Sequence, residues 1–258
     1  MTISEEPLVS ILMNCYNGEK FLREAIESVM AQTYQNWELI FWNNQSTDQS
    51  AEIFKSYDDK RLKYFYAPKH TLLYEAKNFA ADKSSGNFIA FLDVDDYWEA
   101  NKLEKQMNIF SEDTNVAMVY SNYYFKNEIK KTNKIQYKRS LPEGNIVDIL
   151  LRKYIVALLT MVINRKYFAE KEKLFDPRLH NIGDFDIAIK ISAKNKVACI
   201  QEPLATYRWH GGNESVSTRE RQIKELERWG NEMKLCQEVA RYKGFKIFLN
   251  DINYLKAM

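Results

Sequence analysis

Short apolar runs alternate with amphipathic segments along the first hundred residues of the chain. Runs rich in β-branched and aromatic residues are typical of strands, whereas apolar positions spaced three and four apart form one face of a helix. These patterns predict strands over residues 9–15, 37–42, 62–66 and 88–92. They also predict helices over residues 21–30, 46–57 and 74–83, the second of them capped by Ser46 or Thr47.

This alternation of strands and helices determines the expected fold class. It favours an α/β fold with a mainly parallel, Rossmann-like mixed sheet that is flanked by helices. Ligands of such sheets bind at the carboxyl ends of the strands. The loops 14–18, 43–48 and 93–96 each follow a predicted strand, so we expect them to converge on one cleft.

The second half of the chain has a different pattern. A helix is expected over residues 101–110 and a strand over residues 116–124, and further apolar runs follow at 146–151 and 157–164. No linker rich in Pro, Gly or Ser separates the two halves of the sequence. We therefore expect the second half to extend the same sheet rather than to form a separate domain.

The pattern is helical from residue 219 onward, and no proline occurs after Pro203. An apolar stripe runs through this region amid many charges. Its members are Ile223, Leu226, Trp229, Met233, Cys236 and Ala240. The stripe predicts a C-terminal helix packed on the domain, with a homodimer contact and a helix on a membrane surface as alternatives.

Composition narrows the class of protein. A chain of 258 residues with 45% hydrophobic content can bury a sizeable core. No apolar run approaches the roughly 20 residues that span a bilayer, and residues 1–7 are polar and acidic, so secretion and membrane insertion are not expected. Cys15, Cys199 and Cys236 predict neither a disulfide framework nor a zinc site. A reducing, cytoplasmic location is the expectation.

Charge gives a weaker indication of partners. The 37 basic and 35 acidic residues leave a formal net charge of +2, which gives no reason to expect nucleic acid as a partner. Six Lys or Arg residues nevertheless oppose Glu128 alone over residues 126–139. This segment is either a solvated loop or a surface for an anionic acceptor or lipid, and the second interpretation predicts peripheral contact with the inner face of the plasma membrane.

Three carboxylates at the end of the fourth predicted strand are the main candidates for chemistry. Asp93, Asp95 and Asp96 follow an apolar run, and carboxylates this close repel one another unless a cation lies between them. Their oxygens suit Mg²⁺ or Mn²⁺, which can bind substrate phosphates at the remaining positions. A metal and diphosphate site is one hypothesis, and an acidic turn that caps the next helix is the other.

Six short motifs occur in an order that identifies a family resemblance. They lie at residues 9–17, 32–40, 76–78, 93–96, 182–186 and 207–210. Over residues 8–212 the chain resembles the family 2 glycosyltransferases, which are inverting enzymes with the GT-A fold. The resemblance implies a domain over residues 1–212, with a nucleotide-sugar half of about 1–100 and an acceptor half of about 101–212. Residues 213–258 would then form a helical extension.

The resemblance also implies roles for individual residues. Asp95, Asp93 and His210 would hold Mn²⁺ or Mg²⁺ on the donor's diphosphate, and Asp184 would be the general base that accepts the acceptor hydroxyl's proton. Asp186 competes with Asp184 for that role. The predicted contacts to the nucleotide sugar are Asn14, Tyr16, Asn17, Asn44, Lys77, Asp93 and Arg208.

The implied reaction moves a sugar from a nucleotide-diphosphate sugar, preferably a UDP-sugar, to a hydroxyl of a glycan or lipid-linked acceptor in cell-surface polysaccharide synthesis. Two departures from the family pattern affect this expectation. Asn43 and Asn44 stand where the family usually has two aspartates, so recognition of uridine is not compelled. Gly183 stands where many members have Glu.

Two other functions fit part of the pattern. Asp93 and Asp95 after an apolar strand also resemble the nucleophile motif of haloacid-dehalogenase-type phosphatases, which would not need Asp184. A non-catalytic nucleotide-sugar binding module would bind the nucleotide with a metal ion but show no turnover.

Overall fold

A computed structural model describes residues 6–168, 173–213 and 219–257 of the chain. The strands are β1 (Val9–Cys15), β2 (Trp37–Asn43), β3 (Leu62–Tyr66), β4 (Phe88–Phe91), β5 (Tyr97–Trp98), β6 (Val116–Asn127), β7 (Thr132–Ile135), β8 (Val162–Asn164) and β9 (Lys196–Trp209). The helices are α1 (Leu22–Met30), α2 (Ser50–Lys55), α3 (Leu73–Asp82), α4 (Lys102–Glu112), α5 (Val147–Arg152), α6 (Gly183–Lys194), α7 (Arg219–Met233), α8 (Gln237–Ala240) and α9 (Lys243–Ala257). Short 3₁₀ turns lie at Leu158–Thr160 and Arg165–Tyr167.

All of these strands belong to one mixed sheet in the order β3-β2-β1-β4-β8-β6-β9-β5, and β7 pairs with β6. The first four strands in this order are parallel to one another. β8 is antiparallel to both β4 and β6, and it thereby joins the two halves of the chain in a single sheet. The predicted α/β fold with a mixed, mainly parallel sheet is confirmed.

Alternate residues of the central strands face two separate cores, as the two-residue period of a strand requires. Ile11 and Leu39 lie in a core that includes residues of α1 and α4. Leu12 and Ile40 lie in the opposite core, which includes residues of α3, α5, α6 and α9. Because helices cover both faces, every residue of β2 is buried, and the open edge for a ligand is the carboxyl end of the strands.

The start of α2 differs from the prediction. The helix begins at Ser50 and has no side-chain cap, so the predicted cap by Ser46 or Thr47 is wrong. Residues 43–48 instead form a loop, in which the N–H of Ser46 donates to Asn43 Oδ1 over 2.7 Å. The side-chain hydrogen bonds of this loop replace the first turn of the expected helix.

The C-terminal helices pack on the domain beside α5 and α6. Trp229 of α7 and Phe248 of α9 surround Phe185 of α6, with ring centroids 4.9 and 5.7 Å from that of Phe185. Gly244 lies so close to α5 that an added Cβ would be 2.8 Å from the carbonyl oxygen of Asp148. The chain breaks the helical path after Met233, so the apolar stripe predicted from the sequence is divided between α7 and α8.

Among the helices that the structure describes, none combines the length and the apolar character that a membrane span requires.

Candidate active site

A cavity of about 960 Å³ lies at the carboxyl ends of β1 and β4. Loops 14–18 and 93–96 form part of its wall, and the loop after β9 adds His210. Helices α3, α5, α6, α7 and α9 also contribute to the wall, which includes Asp184 at the start of α6 and Tyr154 just after α5. A cavity of this size matches the usual range for sites that enclose small ligands and cofactors.

The third loop that was expected at this cleft, residues 43–48, lies behind the first loop. The N–H of Asn17 donates to Ser46 Oγ over 3.0 Å, and Asn17 Oδ1 accepts from the N–H of Thr47 over 2.8 Å. Asn44 Nδ2 donates to the carbonyl oxygen of Thr71 over 2.8 Å, and Asn44 Oδ1 accepts from the N–H of Thr71. Asn44 is therefore not on the cavity wall, where it was predicted to contact the donor.

Lys77 also lies behind the wall and not on it. Its side chain is completely buried, and Nζ donates to Asp93 Oδ1 over 2.5 Å. A buried ammonium group requires such a partner, because the cost of removing the charge from water is otherwise uncompensated. Lys77 therefore reaches the cavity only through Asp93, which does line it.

Arg208, which was also predicted to contact the donor, lies behind the cavity wall. Its guanidinium is 4% exposed, pairs with Glu24, and donates from Nη1 to Glu128 Oε1 over 2.7 Å. Its backbone N–H donates to Asp96 Oδ1 and its Nε to the carbonyl oxygen of Asp95, both over 2.8 Å. Arg208 therefore anchors the acidic loop from behind, and it is absent from the described cavity wall.

Asp96 is the innermost carboxylate of the acidic loop. Burial raises its pKa, and the charges of Asp95 and Asp93 raise it further, whereas the hydrogen bond from the N–H of Arg208 lowers it. This concentration of acid groups is the arrangement that the sequence predicted. It creates a negative potential at the edge of the sheet.

Asp95 lies at the centre of a small polar cluster. Its Oδ2 is 3.1 Å from His210 Nε2 and accepts from Asn213 Nδ2 over 3.0 Å. Gly211 has a φ of +82°, which lets the chain turn back so that Asn213 Oδ1 accepts from the N–H of His210. Sequence reasoning missed Asn213, because its contact with Asp95 joins residues that are 118 positions apart in the sequence.

Within the described ranges, no three His, Cys, Asp or Glu side chains converge on a common point where a metal ion could bind. Asp95 and His210 nevertheless lie together on the cavity wall, with Asp95 Oδ2 3.1 Å from His210 Nε2. Burial and the nearby charge of Asp93 raise the pKa of Asp95, and a cation would relieve that repulsion. Two protein ligands leave positions open for diphosphate oxygens and water, so the residues fit a divalent ion that the substrate helps to bind.

Asn14, Tyr16 and Asn17 line the cavity as predicted for donor contacts. The side-chain oxygen of Asn14 is buried and has no hydrogen-bond partner among the described residues. The Tyr16 ring is 52% exposed and lies 4.4 Å from the ring of His70 in an edge-on arrangement. An unpaired acceptor and an exposed aromatic face are groups that a nucleotide can satisfy by a hydrogen bond and by stacking.

Asp184 lies in the first turn of α6 and lines the same cavity. Tyr74 Oη donates to its Oδ1 over 3.1 Å. Burial raises the pKa of Asp184 to about 6, while the N–H of Phe185 and the nearby hydroxyls of Tyr74 and Tyr154 lower it. A carboxylate with this pKa is deprotonated at neutral pH and is more basic than an ordinary Asp.

Asp186 lies two residues further along α6 and points away from the cavity. It is buried, its Oδ1 accepts from Trp229 Nε1 over 2.7 Å, and its Oδ2 accepts from Lys190 Nζ over 2.8 Å. The described cavity wall does not include Asp186. Its geometry is that of a group that attaches α7 to α6, and this favours Asp184 for the catalytic role.

The structure gives a physical reason for Gly183, where many family members carry Glu. A Cβ at this position would lie 2.6 Å from the ring of Tyr74, which is closer than packed atoms approach. Tyr74 is the residue that donates to Asp184. The glycine therefore allows the tyrosine to approach the candidate base.

Glu225 of α7 holds the loop that precedes Asp184. Its carboxylate is buried and accepts from the backbone N–H groups of His180, Asn181 and Ile182 over 2.8, 2.8 and 3.3 Å. Sequence reasoning missed this residue, because a Glu on an amphipathic helix with many charges looks like a solvated side chain. The contact spans more than forty positions of sequence, and no local pattern indicates it.

Solved structures with the same fold include two proteins in complex with nucleotide sugars. The chain aligns with Staphylococcus aureus TarS 1-349, crystallised with UDP-GlcNAc, at a TM-score of 0.71 and 16% identity, covering 91% of this chain and 71% of TarS. It also aligns with the mannosyltransferase PcManGT from Pyrobaculum calidifontis, which was solved with GDP-Man and Mn²⁺. The TM-score is 0.65 and the identity 16%, and the alignment covers 98% of this chain and 70% of PcManGT. These likenesses show the fold, and the predicted GT-A architecture is confirmed.

Sequence comparison identifies the family. A profile of glycosyl transferase family 2 matches residues 10–179. The chain belongs to glycosyl transferase family 2. It is 32% identical to the Escherichia coli UDP-Glc:alpha-D-GlcNAc-diphosphoundecaprenol beta-1,3-glucosyltransferase WfgD over 224 residues, which is 87% of this chain and 84% of WfgD. It is 28% identical to the putative teichuronic acid biosynthesis glycosyltransferase TuaG of Bacillus subtilis, over 79% of each chain.

Membership of glycosyl transferase family 2 confirms the predicted family and makes the protein a glycosyltransferase. The same finding excludes the two alternative functions that fitted the acidic motif, a phosphatase and a non-catalytic binding module. The cavity with Asp95 and Asp184 on its wall is the candidate active site of this family 2 enzyme.

Proposed function

We propose that the protein transfers a sugar from a nucleotide-diphosphate sugar, preferably a UDP-sugar, to a hydroxyl of a lipid-linked or polysaccharide acceptor. The observation that carries the proposal is that Asp95, with its partner His210, and Asp184 line one cavity. The name of WfgD, with its UDP-Glc donor and diphosphoundecaprenol acceptor, supports the donor and acceptor classes. The complex of TarS with UDP-GlcNAc supports the same donor class.

Donor binding is assigned to the part of the wall formed by loops 14–18 and 93–96. The exposed ring of Tyr16 is placed to stack on the base, and the unpaired oxygen of Asn14 can accept a hydrogen bond from the donor. In this proposal Asn44, Lys77 and Arg208 do not contact the donor themselves. Each helps to hold a loop that does.

Asp95 and His210 are the residues that would hold a Mn²⁺ or Mg²⁺ ion, and Asp93 lies close enough to add its charge. The ion would neutralise charge on the departing nucleoside diphosphate as a Lewis acid. Asn213 keeps the Asp95 carboxylate in place for this role through its hydrogen bond to Oδ2. The structure of PcManGT with GDP-Man and Mn²⁺ supports the presence of an ion.

Asp184 is proposed as the general base of a single displacement. The acceptor oxygen forms a bond to the anomeric carbon while the bond from that carbon to the diphosphate oxygen breaks. The diphosphate takes the electron pair of the broken bond, and the proton of the acceptor hydroxyl passes to the Asp184 carboxylate. Because attack and departure occur on opposite faces of the sugar, the configuration at the anomeric carbon is inverted.

A lipid-linked acceptor also suggests a place of action at the inner face of the plasma membrane, on its cytoplasmic side. The hairpin formed by β6 and β7 exposes Ile129 and Ile135 together with Lys130 and Lys131. It lies beside the active site, since the N–H of Glu128 in its turn donates to the carbonyl oxygen of Trp209, immediately before His210. Exposed apolar and basic side chains are the combination that binds anionic membrane surfaces.

A homodimer through the C-terminal helices stays a prediction. Ile247 and Tyr254 lie on the exposed side of α9 and are the apolar residues that such a contact would cover.

Isothermal titration with UDP, GDP, ADP and CDP, each with and without Mn²⁺, tests the proposed donor class. We expect UDP to bind most tightly and to require the ion. If another nucleotide binds most tightly, the donor is a sugar linked to that nucleotide and not a UDP-sugar. If no nucleotide shows metal-dependent binding, the proposed function is overturned.

A further inference from the structure

Residues 152–154, which begin at the last residue of α5, place two cations on the cavity wall that have no partner among the described residues. Arg152 and Lys153 both line the cavity and both are exposed. In the described part of the chain, neither side chain has a hydrogen bond, an ion pair or a ring contact. Other basic groups on the same wall are engaged, since His210 contacts Asp95 and Lys20 lies over the Phe21 ring.

Stabilisation of the helix alone does not account for this placement. Cations at the last turn of a helix interact favourably with its dipole, and Arg152 ends α5. That interaction requires the charge to be near the helix end but does not require it to face a cavity. α5 is only six residues long, so its dipole offers little stabilisation to a second cation in the following residue.

The wall beside these cations is apolar. Leu150, Leu151, Leu226 and Phe248 line the cavity from α5, α7 and α9. A site that combines aliphatic and aromatic side chains with two free cations suits a ligand that is apolar at one end and anionic next to it. An uncharged polysaccharide does not need the cations, and a free phosphate does not need the apolar wall.

Tyr154 connects this segment to the candidate base. Its hydroxyl is buried and has no hydrogen bond of good geometry in the described structure, although it lies beside Asp184 and lowers the pKa of that carboxyl. A buried hydroxyl without a partner destabilises the folded protein. A hydroxyl of a bound acceptor would satisfy Tyr154 at the point where Asp184 accepts the proton.

We propose that residues 152–154 form the acceptor subsite, in which Arg152 and Lys153 bind the phosphate groups that link the acceptor sugar to its carrier. Tyr154 hydrogen-bonds the acceptor sugar beside Asp184, and the apolar wall contacts the start of the carrier chain. This assignment rests on the proposed function, because it places the reacting acceptor hydroxyl next to Asp184. It adds the residues of this chain that would recognise the diphosphate of the lipid-linked acceptor.

The test measures binding of a diphosphate to the acceptor side while the donor side is filled. The protein is saturated with UDP and Mn²⁺ and then titrated with farnesyl diphosphate and, separately, with inorganic pyrophosphate. The double variant Arg152→Gln, Lys153→Gln is compared with Lys243→Gln, Lys246→Gln. The second variant removes two exposed cations from α9, the helix that also contributes Phe248 to the cavity.

We expect Arg152→Gln, Lys153→Gln to weaken binding of farnesyl diphosphate at least tenfold and the α9 variant to leave it unchanged. If farnesyl diphosphate binds more tightly than pyrophosphate, the apolar wall contacts a lipid carrier. If the two bind equally, the site recognises only the phosphate groups and the apolar wall has no role in binding. Equal affinity in the wild type and the 152–153 variant overturns the proposal, and so does an equal loss in the α9 variant. If UDP itself fails to bind with Mn²⁺, it is the proposed function that fails.

Discussion

The two sides of the cavity are built on different principles. On the donor side, the carboxylates of 93–96 are held by Lys77, by His210 and by the backbone of Arg208. On the acceptor side, the segment 152–154 presents two cations and a buried hydroxyl without partners in the described structure. On one side the charges are paired by protein groups, and on the other two exposed cations are not paired by any described residue.

This difference indicates how the two substrates are recognised. The donor side needs little rearrangement, because its side chains are fixed by protein contacts before a nucleotide binds. On the proposed acceptor side, the buried hydroxyl of Tyr154 has no partner in the described structure, and a buried group of this kind discriminates strongly against a ligand that cannot pair with it. Variants on the two sides should therefore have separable effects on donor binding and on transfer.

The largest expected effect is that of Asp184→Asn. The amide cannot accept the proton of the acceptor hydroxyl, so we expect the rate of transfer to fall about 10²- to 10⁴-fold. Binding of UDP should not change, because Asp184 belongs to the acceptor side. Steady-state transfer assays and UDP titration of the same preparation measure both quantities.

Asp186→Asn is the matched control for that substitution. Its buried carboxylate accepts from Trp229 and Lys190, so we expect a lower Tm with transfer retained in the folded protein. If Asp186→Asn instead lost transfer at an unchanged Tm while Asp184→Asn stayed active, Asp186 would be the general base and Asp184 the structural residue.

Glu225→Gln should have the next largest effect, through positioning alone. The amide has one acceptor oxygen in place of two, and the three N–H groups of 180–182 lose part of their support. Displacement of the loop before Asp184 should lower kcat by up to about 10²-fold without changing the KM for the donor. Glu220→Gln, on the exposed face of the same helix, should leave kcat unchanged, and an equal loss in both variants would argue against a positioning role.

The pH dependence of transfer should follow the titration of Asp184. Burial raises its pKa to about 6, and the base acts only when it is deprotonated. The transfer rate should therefore be constant near neutral pH and fall about tenfold per pH unit below about pH 6. A rate that falls only near pH 4, the range of an ordinary Asp, would contradict the effect of burial on this group.

The smallest expected effect is that of Gly183→Ala. The added Cβ would meet the Tyr74 ring at 2.6 Å, and relieving the overlap should cost about 1–3 kcal/mol of stability. Thermal unfolding would show the change as a lower Tm, and transfer should fall modestly because Tyr74 moves relative to Asp184. An unchanged Tm would mean that the ring relaxes freely.

The sequence predicted those features that depend on local patterns. The first four strands follow from their apolar runs, and the acidic motif and Asp184 were found because short motifs occur in the family order. Lys77 and Arg208 were expected on the wall but lie behind it, since a sequence does not show which carboxylate a buried cation will pair with.

Residues whose role depends on distant contacts were missed for a related reason. Asn213 and Glu225 act on groups far away in sequence, and Tyr154 was identified only once its hydroxyl was found beside Asp184. Propensity and periodicity carry no information about such pairs, because they are set when the helices pack against the sheet.

The most direct test of the account is a single series of UDP titrations, with and without Mn²⁺, on the wild type, Asp95→Asn and Asp184→Asn. We predict that Asp95→Asn loses the metal-dependent part of UDP binding and that Asp184→Asn keeps all of it. Metal-dependent binding in Asp95→Asn equal to the wild type, or its loss in Asp184→Asn, would contradict the division of the cavity into a donor side and an acceptor side.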